Sequence, residues 1–137
     1  MTTKKLEWEE RYSVGVKLID DQHKHLFAII NELLEAINTN TSKEKLKNIF
    51  NGLVEYKKFH FQTEEKYFKD FNYSGATEHI KEHEKFNASL TALKEKYPED
   101  TTEVAFMLID FLEDWLIDHI MNADQKYKAC FISQKLK

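Results

Sequence analysis

Six histidines are spread along the chain, and five of them fall where a helix would turn them toward a core. His23 joins the series Ile19, Leu26, Ile30, Leu33 and Ile37, at the alternating three- and four-residue spacing that lines a bundle interior. His60 extends Leu46, Ile49, Leu53 and Tyr56, with Glu64 one turn further. His79 and His83 share a series with Ala76, Phe86, Leu90 and Leu93, and His119 follows Leu108, Leu112 and Trp115. A buried imidazole must find a polar partner. Five of them gathered in one core need more partners than packing supplies, and a metal provides them. His25 is the internal control. It lies about 200° around the helix from His23 and is expected at the surface, outside the set.

The carboxylates have to be chosen from among neighbours. Glu64, not Glu65, shares the face of His60, since an i,i+4 pair is about 40° apart on a helix. Asp124 follows His119 by five residues, which leaves it about 140° away on an ideal helix. Two devices would bring it back: a local π-type widening, or a second metal approached from a different angle. Spacing alone leaves both open.

The elements that must carry these residues are read from the breakers. Residues 1–17 form an arm around Gly15, expected to lie extended on the surface. Helical periodicity then runs over about 19–37, 43–68, 76–97 and 101–122. Asn38-Thr39-Asn40-Thr41-Ser42, Asn72-Tyr73-Ser74-Gly75 and Tyr97-Pro98 separate the stretches. Ser42 is the expected N-cap of the second helix, and a short C-terminal helix is expected near 126–132. Short breaks between long helices imply antiparallel neighbours. The fold is therefore all-α, an up-down-up-down four-helix bundle in one domain of residues 1–137. In that topology His23, His60, Glu64, His79, His83 and His119 all meet at one end. Gly52, inside the second helix, is read as a close helix–helix contact.

Composition removes other classes. Three Gly and one Pro in 137 residues are too few for a sandwich or barrel with a turn every ten residues or so. With 42% apolar and 13% aromatic residues the chain is not disordered. The net charge is −4, and Arg11 is the single arginine, so bidentate recognition of nucleic acid has no basis. The longest apolar run is Val104 to Ile109, too short to span a membrane. No apolar segment reads as a signal peptide near the N-terminus, and the lone Cys130 has no intramolecular disulfide partner. The cytoplasm is the expected compartment, and Cys130 is expected to be a bystander.

Four blocks carry a family pattern. They are Val14-Gly15-Val16-x-x-Ile19-Asp20-Asp21-Gln22-His23; His60-Phe61-x-x-Glu64-Glu65; His79-x-x-x-His83-x-x-Phe86; and Trp115-Leu116-x-x-His119-Ile120-x-x-x-Asp124. Together they resemble the hemerythrins, nearest to the bacterial single-domain type, from Trp8 to about Tyr127. The resemblance implies a non-haem di-iron centre with a bridging oxo or hydroxo group. His79, His83 and His119 would hold one iron, His23 and His60 the other, and Glu64 and Asp124 would bridge them, which settles the open question about Asp124. The second iron keeps a free position, where a small ligand binds. In such a protein O2 binds there reversibly, for storage, buffering or delivery, and NO and small anions bind in the same place. Leu116 matches a residue that lines the oxygen pocket.

Five imidazoles and two carboxylates also differ from the carboxylate-rich set of ferritin-like oxidases, so an enzyme is not the expected reading. The alternatives are a sensor of O2, iron or NO acting through a partner contact, and a di-iron enzyme consuming peroxide or NO. Sensor versions usually carry a fused output domain, for which 137 residues leave no room. Imidazole-rich sites also accept zinc. A monomer is expected, with no nucleic-acid or membrane partner.

Overall fold

Two asparagines in the left-handed region set where the first two helices stop. In the computed structural model, which describes residues 6–98 and 101–134, Asn40 has φ 56° and Asn72 has φ 51°. Asn tolerates this conformation better than most side chains. Beyond each, the chain folds back on the helix end: Thr41 N–H donates to Ala36 O at 2.8 Å, and Tyr73 N–H to Phe68 O at 2.9 Å. Orphan carbonyls of the last turn are satisfied in this way. The helices so delimited are α1 (Lys17–Asn38), α2 (Ser42–Asp70), α3 (Ala76–Lys96) and α4 (Thr101–Trp115). Ser42 is not the N-cap expected of it. Thr41 occupies that position, Ser42 is the first helical residue, and no side chain caps the helix.

Beyond α4 the helix widens into a π segment, Leu116–Ala123, and then returns to a single α turn, α5 (Asp124–Lys126). The short C-terminal helix follows as α6 (Lys128–Ser133). The four long helices form the antiparallel bundle: α1 packs on α2 and α4, and α3 on α2 and α4. One apolar cluster draws on all four, with Leu26, Ile30, Leu33, Leu46, Leu53, Phe86, Leu90, Leu108 and Leu112 buried in it. Of the residues expected to face inward, Ile37 and Ala76 are only half-buried. Among the described residues no helix is long and apolar enough to cross a membrane.

The arm closes the donor end of the bundle. It makes one 3₁₀ turn at Glu10–Tyr12, and Val14 and Val16 are buried on either side of Gly15, which sits at φ +78°. Asp20 pins it by accepting from Ser13 Oγ at 2.5 Å and from Val14 N–H at 2.9 Å. The two valines join Ile19, Phe68, Tyr127 and Phe131 in a second, smaller apolar cluster. Cys130 is half-buried against that cluster.

Candidate metal centre

The bundle brings all seven expected donors to one end. His23 lies near the start of α1, His60 and Glu64 near the end of α2, and His79 and His83 near the start of α3. His119 lies in the π segment, and Asp124 opens α5. All seven are buried, whereas His25 is exposed. Asp124 reaches the cluster by the first of the two devices considered for it. Its backbone N–H bonds to the carbonyl of His119, five residues back. An i→i+5 turn widens the helix and lets the two side chains converge.

The donor atoms form two groups that share a member. Glu64, His79, His83 and His119 make one, and His23, His60, Glu64 and Asp124 the other; within each group the ligand atoms lie within 4.8 Å of one another. Asp124 reaches both groups. Its Oδ1 lies 2.9 Å from Nε2 of both His79 and His119, and its Oδ2 lies 2.8 Å from Nε2 of His23 and 3.8 Å from that of His60. Glu64 Oε1 is 2.9 Å from His83 Nε2, 3.3 Å from His60 Nε2 and 3.4 Å from His79 Nε2.

Three of the histidines expected as ligands are held from behind, each by the neighbour of an expected donor on the preceding helix. His60 Nδ1–H donates to Gln22 Oε1 at 2.7 Å, His83 Nδ1–H to Glu65 Oε2 at 2.8 Å, and His119 Nδ1–H to Glu82 Oε1 at 3.1 Å. An acceptor at Nδ1 fixes the tautomer and leaves Nε2 with its lone pair facing inward. Gln22 is oriented in turn by Thr63 Oγ at 3.0 Å, which donates to Phe59 O. Sequence facing gave no sign of these three residues, because a residue beside a ligand lies about 100° off the seam. Adjacency to a ligand is the one signal that points to them.

Charge is concentrated here. Burial and each other's charge oppose ionisation of Glu64 and Asp124, but the surrounding histidines outweigh both and hold the two carboxyls below their usual range. Burial likewise works against a charge on His79, yet Asp124 and Glu64 push it up to about 10. His119 is raised in the same manner, whereas burial keeps His60 low. The phenols of Tyr56 and Tyr127, both buried, are held well up by burial and by the two carboxylates.

Residues 14–131 match the hemerythrin HHE cation binding domain, most of the chain. The chain belongs to the hemerythrin family. It is 34% identical to a hemerythrin-like protein of Naegleria gruberi over 123 residues, 89% of this chain and 90% of that one. It is 34% identical to the myohemerythrin of Sipunculus nudus, with 89% and 90% covered. It is 30% identical to the bacteriohemerythrin of Methylococcus capsulatus, with 87% and 90% covered.

The residues of this hemerythrin domain fit a di-iron centre. His79 Nε2, His119 Nε2 and Asp124 Oδ1 approach to hydrogen-bond distance without hydrogen-bond alignment, and Glu64 Oε2 is buried with no partner. Side chains that approach but do not pair are aimed at a common point between them. Two such points, joined by two carboxylates, are what a pair of metal ions requires.

Proposed function

We propose that this hemerythrin domain binds O2 reversibly at two iron ions, as a monomeric cytoplasmic carrier or buffer and not as an enzyme. His79, His83 and His119 would hold one ion, His23 and His60 the other, with Glu64 and Asp124 bridging. The observation that carries the reading is Asp124, which turns one oxygen to each histidine group. Two ferrous ions held by these residues would supply the electrons that reversible O2 binding needs. Everything else falls to the chain. Gln22, Glu65 and Glu82 hold three imidazoles in the metal-binding tautomer, and the two carboxylates offset cationic charge that burial would otherwise penalise.

Leu26, Phe61, Leu116 and Ile120 are buried in the main apolar cluster, Phe61 against His60 and His83, and such a lining would keep water from a free position. Leu116 is the gate in this reading. Leu116→Ala should speed spontaneous oxidation of the oxygenated protein more than it lowers the unfolding temperature. Unchanged decay with a large loss of stability would make Leu116 core packing alone. The carrier reading is favoured over an enzyme because both buried carboxyls among the described residues already belong to the donor set, leaving none as a general acid. Large exposed apolar side chains are few and distributed over α1, α2, α4, the π segment and α6, which supports a monomer.

Metal analysis with visible spectra under O2 and then argon tests the proposal. Two irons per chain and a reversible oxygen-dependent band are expected. One metal per chain, or a full dizinc site in protein made with ample iron, would count against it. Turnover of peroxide or NO would replace the carrier with an enzyme.

A further inference from the structure

Two buried polar side chains sit just beneath the centre. Tyr56 Oη and Trp115 Nε1 are both fully enclosed and neither makes a well-aligned hydrogen bond; the indole N–H lies within reach of the phenol oxygen, and the Tyr56 O–H itself has no acceptor. Tyr56 precedes His60 by four residues and Trp115 precedes His119 by four, so each lies on its ligand's face, one turn toward the middle of the bundle. The Tyr56 ring stacks on His60 at 5.2 Å and 20°, and the Trp115 ring on His119 at 3.8 Å and 12°. Phe61 contacts both rings, and Leu26 and Leu116 belong to the same cluster. The two polar groups therefore lie in otherwise apolar packing beside the donors.

The two donors do not stand equally. Trp115 accompanies the group that has three histidines. Tyr56 accompanies the group with only His23 and His60, the side on which a ligand would be seated. A buried O–H without a partner opposes folding, and phenylalanine would fill the same space without that penalty. Tyr127, the other buried phenol with no aligned hydrogen bond, is a different case, because its hydroxyl lies within reach of Glu64. It packs with Phe68 and Phe131 in the second cluster, against His79.

We propose that the Tyr56 hydroxyl donates a hydrogen bond to a small ligand seated on the His23–His60 side of the centre, holding it by its lone pairs. The ligands this suits are compact and electron-rich, such as azide or reduced dioxygen, and not a neutral apolar gas. The inference rests on the di-iron reading above, and the two fail in different ways.

The test compares the iron-loaded full chain with its Tyr56→Phe variant, using azide as the probe and absorbance as the readout, and adds thermal unfolding of both proteins after iron removal. Both proteins should carry the same iron and the same starting spectrum. Azide should bind the variant about tenfold more weakly, as expected on loss of one hydrogen bond to a charged acceptor. The iron-free variant should unfold at the same temperature as the iron-free parent or higher, because the Tyr56 O–H has no acceptor within the protein and the Trp115 N–H makes no aligned bond to its oxygen. Equal azide affinity at equal iron content overturns the proposal. So does a lower unfolding temperature in the iron-free variant, or loss of iron from it, since either shows that the hydroxyl serves the protein and not the ligand. Failure of the parent chain to take up iron sinks the di-iron reading itself, and the proposal falls with it.

Discussion

His60, His83 and His119 owe their orientation to residues that are not ligands, and this makes the outer partners testable. Glu65 lies off the donor face, as its facing predicts, but its carboxylate accepts from His83 at 2.8 Å. Glu65→Ala or Glu82→Ala should therefore retain the fold and weaken iron affinity about 10–100-fold. His25→Ala should change nothing, and His60→Ala or Glu64→Ala should lose the iron. Chelator competition read as iron retained per chain checks all of these, and equal retention in the Glu65 and Glu82 variants would reduce those contacts to surface pairing. The same residues set a pH dependence in metal-free protein. Glu64 and Asp124 ionise more readily folded than unfolded, so their contribution is complete above the ordinary value of 4.5 for Glu and is lost as pH falls. His60, held low by burial, acts in the same direction. His79, raised from 6.5 to about 10, contributes fully below 6.5 and loses its contribution as pH climbs through about 10. The unfolding temperature of chelated protein should fall on both sides of a maximum near pH 5–6.5, and a flat profile would show that these charges are not coupled to folding.

At the level of elements, the seam histidines and the helices that carry them were legible because a bundle imposes a period that can be counted. His23, His60, His79, His83 and His119 all sit where that period puts them. Asp124 was not readable from spacing alone, because a π segment breaks the period on which the reading depends. Only the family pattern placed it, and the i→i+5 bond from Asp124 to His119 supplies the physical reason. The cap of α2 was misread for another reason: Thr41 and Ser42 are both plausible caps, and the fold-back after Asn40 decides which residue enters the helix first. Gly52 tests the packing of α1 on α2. A Cβ built there would meet the Ile29 side chain at 3.6 Å, an ordinary contact. The contact is close, as expected, but it does not demand glycine. Gly52→Ala should stabilise the protein by about 0.5–1 kcal/mol through helix propensity, read as a raised denaturant midpoint. A destabilised variant would mean that α1 and α2 lie closer than this contact allows.

Across the whole molecule the interior has two unlike halves. Away from the donors, Leu33, Leu46, Leu53, Leu90, Val104 and Leu108 pack together as an apolar core, the kind of interior that holds without help. At the other end seven titratable groups are buried together, and such clusters are costly to desolvate unless each charge is matched. Metal binding supplies that match, and its binding free energy adds to the stability of the folded state. Removing the iron should therefore not loosen the bundle evenly. Amide exchange should accelerate first around His23, His60, His79 and the π segment, and in the arm that covers them, because the buttons of Val14 and Val16 sit in the smaller cluster at that end. Amides beside Leu33, Leu46 and Leu93 should keep nearly the protection they have in iron-loaded protein, since their packing involves no donor. Hydrogen exchange on matched iron-loaded and chelated samples decides the matter. Uniform acceleration along all four helices would show one cooperative unit, with the metal stabilising the entire bundle and not the end that holds it.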